Sequence, residues 1–219
     1  MKSNRLAIFD LDGTLLNTIG DLALGCNHML RMRGLPEHTY EEYCHFVGNG
    51  ITRLVERAIP EELRTAEYIA EARCDFVEYY TEHIDHKTVP YEGMHEVLRR
   101  LSKEGVTLAV ASNKFHAGTE CLIERFFADV EFASVHGNRD GFPLKPDAAV
   151  LKLIMEECGF EPQQCCMIGD SGVDMQTAHN AGVRSVGVTW GFRSREELVE
   201  NGADLVVDNA EQLLSAILL

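Results

Sequence analysis

Apolar and polar positions along the 219-residue chain follow two regimes. Near the start, Leu6-Ala-Ile-Phe9 is an unbroken apolar run, which predicts a short strand buried on both faces. From residue 15 to about 33 the apolar positions take helical spacing (Leu15, Ile19, Leu22, Cys26, Met29, Leu30), and Gly34 and Pro36 end that helix. A second helix is predicted over residues 39–47. It breaks at Gly48-Asn49-Gly50 and resumes over 51–58. A further one opens at Pro60-Glu61-Glu62 and runs to about residue 83. Nothing between 15 and 87 reads as a strand.

The pattern changes after Pro90. Helices are predicted at 93–103, 116–127, 147–158 and 172–181, and strands at 106–111, near 130–135, at 165–168, 185–189 and 205–207. A long loop occupies 137–146. Strands alternating with helices predict a parallel sheet with right-handed crossovers. The expected class is therefore α/β: a Rossmann-like core of residues 1–14 and 88–219, with an all-helical block of residues 15–87 inserted after the first strand.

Composition narrows the partners. Thirty-five acidic against 20 basic residues give a net charge of −15, which argues against a protein that coats nucleic acid or an anionic membrane. An anionic substrate would need local cations at its site. Seven cysteines without a Cys-x-x-Cys pair read as reduced thiols of a cytoplasmic protein, and Cys165-Cys166 as small core residues. Only four apolar residues precede Asp10, too few for a signal peptide, and the apolar end over 213–219 is too short to span a bilayer.

Three strands end in polar clusters: Asp10 and Asp12 after the first, Ser112 and Asn113 after the second, Asp170 and Asp174 after the fourth. Lys145 lies in a loop nearby in the order of elements. The carboxyl ends of parallel strands share one sheet edge, where ligands of open α/β sheets bind. Carboxylates gathered there repel by about 4 kcal/mol per pair at ~4 Å and a protein-like dielectric. A hard divalent cation such as Mg²⁺, with Lys145, relieves that repulsion, and Ser112 and loop N–H groups suit phosphate oxygens. Taken singly, Asp-x-Asp-Gly is an ordinary turn, Gly-Asp a common strand end, and Lys145-Pro146 an ordinary entry to a helix. Their order and shared placement point to chemistry.

Asp10-Leu-Asp12-Gly-Thr14, Ser112-Asn113, Lys145-Pro146 and Gly169-Asp170-Ser-Gly-Val-Asp174 resemble, in order, the four motifs of the haloacid dehalogenase-like phosphohydrolase superfamily. The helical insertion stands where that superfamily places its type C1 cap. Phe46-Val-Gly-Asn-Gly50, Leu54-Val-Glu-Arg57 and Gly187-Val-Thr-Trp-Gly191 are most similar to its phosphoglycolate phosphatases. The chain departs from them at Ala148, where a second proline is usual, and at Asn17, where many carry aspartate.

The resemblance implies a Mg²⁺-dependent phosphomonoesterase acting on a small phosphorylated metabolite as a monomer or homodimer. Asp10 would be the nucleophile, Asp12 the acid–base and Lys145 the charge screen. The metal would be held by Asp10, the Asp12 backbone, Asp170 and Asp174, and substrate by Ser112 and Asn113. The related alternatives are a pyrophosphatase, a sugar-phosphate phosphatase and a β-phosphoglucomutase-like enzyme. Gly48-Asn49-Gly50 reads either as a bend between helices or as a substrate loop, with Arg53 a partner for a carboxylate. His83 and His86 read as an exposed helix end, Trp190 as packing, and Gly191 as a strand terminator.

Overall fold

The computed structural model describes residues 5–218; the outermost residues assigned above to the core, 1–4 and 219, lie outside it. Six strands form one parallel sheet: β1 (Leu6–Phe9), β4 (Thr107–Phe115), β5 (Ser134–Asn138), β6 (Cys165–Gly169), β7 (Arg184–Val188) and β8 (Leu205–Val207). Their spatial order is β5-β4-β1-β6-β7-β8. The first core strand thus lies between the second and the fourth, the doubly wound Rossmann order with its switch point between β1 and β6. Alternation in β1 explains its continuous apolarity. Ala7 and Phe9 face one core cluster, and Leu6 and Ile8 face the other.

Between β1 and β4 lie α1 (Ile19–Met32), α2 (Tyr40–Phe46), α3 (Gly50–Ala58) and α4 (Ala66–Glu82). They bury Cys26, Met29, Tyr43, Phe76 and Tyr80 among themselves. The chain enters and leaves this block through an antiparallel ribbon, β2 (Leu16–Asn17) against β3 (Val89–Pro90). Buried Asp21 closes the neck by accepting from the Lys87 and Thr88 N–H groups and the Thr88 hydroxyl. The ribbon overturns two expectations: residues 15–87 do contain a strand, and the first helix starts at Ile19. Residues 16–17 satisfy their backbone across the ribbon, so the apolar spacing at Leu15 and Leu16 does not make them helical.

The long helix expected from Pro60 is two pieces, a 3₁₀ turn at Glu61–Leu63 and then α4. Thr65 accepts from the Tyr68 N–H and sets a fresh helix start. Residues 130–133 lead into β5 rather than forming it, because the Val130 N–H still bonds to the Phe127 carbonyl at the end of α6 (His116–Phe127). The core face is completed by α5 (Met94–Lys103), α7 (Ala149–Cys158), α8 (Gly172–Ala181), α9 (Arg195–Glu200) and α10 (Ala210–Leu218). The last two were not foreseen. α10 turns Leu213, Ala216 and Ile217 inward, and among the described residues no helix is long and apolar enough to cross a membrane.

Candidate active site

β1 ends at the switch point, and the chain then turns sharply: the Gly13 N–H donates to the Leu16 carbonyl and the Leu15 N–H to the Leu11 carbonyl. Asp10 and Asp12 are thereby held on a rigid loop at the carboxyl edge. β6 delivers Asp170 to the same edge, and the first turn of α8 delivers Asp174. Asp10, Asp170 and Asp174 are all buried, with one oxygen from each lying within 4.8 Å of the others. The strand ends named from the sequence therefore do converge.

Lys145 compensates this cluster from below. Its Nζ lies 3.0 Å from Asp10 Oδ1, 2.7 Å from Asp174 Oδ1 and 2.9 Å from the Ala111 carbonyl. Three donors meet three acceptors, so Lys145 fixes the carboxylates rather than reaching outward. Asp174 is likewise occupied: its Oδ2 accepts from the Ser171 hydroxyl at 2.6 Å and the Ser171 N–H at 3.2 Å. Asp10 Oδ1 also accepts from the Leu11 N–H at 2.7 Å. Among the described residues no hydrogen bond engages Asp10 Oδ2.

The electrostatics show what the cluster is short of. Burial pushes Asp10 up to about 7, outweighing the pull of Lys145, and Asp174 and Asp12 push the same way. Burial also holds Asp170 well above the carboxylate range; Asp174 and Asp10 add to this, against the Phe192 N–H and Arg193. When all four carboxylates are ionised they outnumber the two buried lysines, Lys145 and Lys114, by two, and that excess is what raises Asp10 and Asp170 further. Buried oxygen donors with that excess of negative charge fit a hard divalent cation.

Asp170 is seated by its surroundings. The Phe192 N–H donates to Oδ2 at 2.7 Å, and the Thr14 hydroxyl lies 3.4 Å from Oδ1. Two glycines make this approach possible. At Gly13, with φ +87°, a Cβ would stand 2.2 Å from Asp170 Oδ2; at Gly191 it would stand 2.2 Å from Asp170 Cβ. Gly191 thus does more than end a strand: β7 stops at Val188, and the glycine lets the following loop close on Asp170. Trp190, read as packing, also donates from its indole to the Thr14 carbonyl at 3.1 Å. Gly191→Ala is expected to cost on the order of 1–3 kcal/mol through overpacking and to cut activity by displacing Asp170. Thermal melts and turnover check this together; a wild-type Tm and rate would show that the loop has slack.

Above the carboxylates lies a cavity that opens to solvent, with about 590 Å³ of empty space when its mouth is included. Asp10, Asp12, Ser112, Asn113 and Asp170 line it from the sheet edge, and Val47, Gly48, Gly50, Ile51, Leu54 and Tyr80 from the helical block.

A family model for haloacid dehalogenase-like hydrolases matches residues 7–188. The chain belongs to the haloacid dehalogenase-like hydrolases. It is 37% identical to a phosphoglycolate phosphatase of Agrobacterium fabrum, over 97% of this chain and 91% of that one. It is 36% identical to a phosphoglycolate phosphatase of Pseudomonas putida, over 96% and 78%. A solved structure from Lactobacillus delbrueckii subsp. bulgaricus superposes at a TM-score of 0.91 with 33% identity, covering 99% of both chains.

Not every residue singled out from the sequence of this haloacid dehalogenase-like hydrolase reaches the cavity. Ser112 lines it, and its Oγ accepts from the Lys114 N–H. Asn113 lines it too, but its amide is spent on backbone: it donates to the Gly48 and Lys145 carbonyls and accepts from the Lys145 N–H. It ties the helical block to the sheet edge. Gly48 and Gly50 line the cavity, whereas the Asn49 side chain accepts from Arg57 at 2.8 Å. Arg53 is not brought there. Its side chain is 62% exposed and pairs with Glu56 one turn along α3, because the inward face of that helix is taken by Leu54 and Val55. His83 donates from Nδ1 to the Tyr79 carbonyl and stacks on the Tyr79 ring, away from the cavity.

Three residues were missed. Lys114 is buried at the cavity wall, 3.1 Å from Asp12 Oδ1, and donates to the Tyr80 hydroxyl at 2.6 Å. Burial opposes its charge, but Asp12 and Tyr80 overcome this and hold it above the usual lysine value. Arg193, also on the wall, donates to the Cys44, His45 and Val47 carbonyls. A lysine directly after Ser112-Asn113 at a buried strand end was a readable signal. Tyr80 was absorbed into helical periodicity, and nothing local marks Arg193.

Proposed function

We propose that this enzyme is a phosphomonoesterase that hydrolyses phosphoglycolate through a phosphoryl group carried on Asp10. The observation that carries the reading is Asp10 itself: Lys145 and the Leu11 N–H fix one oxygen while the other is left unengaged at the cavity floor. In the first step Asp10 Oδ2 attacks phosphorus and the bond to the ester oxygen breaks. Asp12 gives its proton to the departing alkoxide, then takes one from the water that cleaves the acyl phosphate. Ser112 holds a phosphoryl oxygen, and Lys145 keeps Asp10 aimed while reducing its repulsion toward the phosphate dianion.

Mg²⁺ held by Asp10, Asp170 and the Asp12 backbone, with Asp174 behind, would supply the remaining positive charge against the transferring group. Residues 15–87 act as the cap. The Leu16–Asn17 and Val89–Pro90 ribbon is its neck, and Val47, Ile51 and Leu54 keep water from the reacting atoms. The substrate assignment draws on the named relatives. It is tested by kcat/KM for phosphoglycolate, sugar phosphates and pyrophosphate with Mg²⁺. Phosphoglycolate should lead, and any other compound ahead of it by tenfold replaces it.

Asp12→Asn is expected to slow the burst of leaving-group release by about 10²–10⁴-fold for poor leaving groups and far less for p-nitrophenyl phosphate, whose phenolate departs without a proton; the slowed cleavage of the acyl phosphate is common to both. An equal loss of burst rate on both would remove Asp12 from acid catalysis.

A further inference from the structure

We infer that Lys114 sets the substrate preference of this site: it takes the carboxylate of a phosphomonoester whose carboxyl group sits on the carbon bearing the ester oxygen. The inference rests on the phosphatase reading above and names the recognition element that it lacks. A dianionic phosphate can be met by the groups at the cavity floor, but a second anion on the substrate calls for a cation of its own, because the cap side chains on the wall are apolar apart from Tyr80, whose hydroxyl is already bonded to Lys114. Leu22, Val47, Ile51 and Leu54 offer it nothing polar. Burying a carboxylate against such a wall without a partner is costly.

Among the described residues few cations are near enough. Arg53 points outward to Glu56. Arg57 is turned to the Phe46 carbonyl and Asn49. Lys145 has its three donors on Asp10, Asp174 and the Ala111 carbonyl. Arg193 lines the cavity, but its guanidinium grips the carbonyls that end α2. Lys114 remains. Tyr80 takes one of its N–H donors, the Asp12 carboxylate takes another at 3.1 and 3.4 Å, and a third is left at the cavity wall.

Position favours it as well. Asp12, as the acid, must meet the ester oxygen, and only two bonds separate that oxygen from the carboxyl carbon of such a substrate. A carboxylate there falls beside whatever cation neighbours Asp12. The side chain of Lys114 is 2% exposed and is held from the cap side by Tyr80, so it is preorganised and little solvated. In this low-dielectric setting a single charge pair discriminates strongly.

The test separates recognition from acid catalysis with ligands that do not turn over. Affinities of 3-phosphonopropionate and of its uncharged-tail counterpart propylphosphonate are measured by titration calorimetry with Mg²⁺, for wild type, Lys114→Met and Lys114→Arg. Wild type should prefer the carboxylate ligand. Lys114→Met should cut that preference on the order of a hundredfold, and Lys114→Arg should keep a clear part of it. If Lys114→Met weakens both ligands equally, or the preference survives, Lys114 only props Asp12 and the inference is overturned. If the methionine variant does not fold, the arginine variant and wild type decide: no carboxylate preference in either sinks it. A wild type that binds both phosphonates as inferred yet turns over phosphoglycolate poorly would instead count against the substrate assignment.

Discussion

Asp10→Asn is expected to lower turnover of every phosphomonoester by on the order of 10⁴-fold or more while leaving the protein folded. The amide keeps the shape and can still accept from the Leu11 N–H and Lys145, but it cannot attack phosphorus. Stability should move the other way. Asp10 in the metal-free fold has its pKa raised to about 7 from 3.8, chiefly by burial. The folded state therefore holds that proton more tightly than the unfolded chain, and stability drains away as pH rises from about 4 through 7. Asparagine carries no such cost. In EDTA at neutral pH the variant should melt at or above the wild-type temperature, with the gap closing near pH 4. Residual Mg²⁺-dependent turnover within tenfold of wild type would end the nucleophile assignment. A lower Tm in EDTA would show that ionised Asp10 stabilises the fold.

This opposition between activity and stability at one residue also marks what the sequence could disclose. The unbroken apolar run before Asp10, and the polar pair at each later strand end, are consequences of a parallel sheet buried on both faces with its ligand edge at the carboxyl ends. Both can be read from residue order alone. The neck at Leu16–Asn17 was hidden, because two residues that pair with a strand more than seventy positions away keep apolar spacing that also suits a helix. Arg53 was misplaced for a related reason: only packing decides which face of α3 turns inward, and Leu54 and Val55 took it. Lys114 went unassigned because its role depends on Tyr80, which reaches it from a helix 34 positions earlier. Residues acting along one strand are legible; those acting across the junction between the helical block and the sheet are not.

Lys145→Met tests the charge balance on which the whole edge depends. The substitution roughly keeps the length of the side chain but leaves Asp10 and Asp174 facing each other without the ammonium that lies 3.0 and 2.7 Å from them. Removing one partner from a buried ionic cluster typically costs about 3–5 kcal/mol, since the remaining charge is left desolvated. For a chain of this size that is a fall in Tm on the order of 10 °C. The fall should be larger in EDTA than in Mg²⁺, because a cation bound among the carboxylates stabilises the fold by mass action and replaces part of the missing charge. Turnover should collapse along with it, since Asp10 loses the contact that fixes its orientation. Lys103→Met, at an exposed position on α5, provides the matched control and should melt as wild type does. Equal Tm losses with and without Mg²⁺ would mean that the carboxylates hold no divalent ion. A Lys145→Met protein that melts within about 2 °C of wild type would mean that the cluster meets its charge by protonation, with Asp10 neutral and unable to act as the nucleophile.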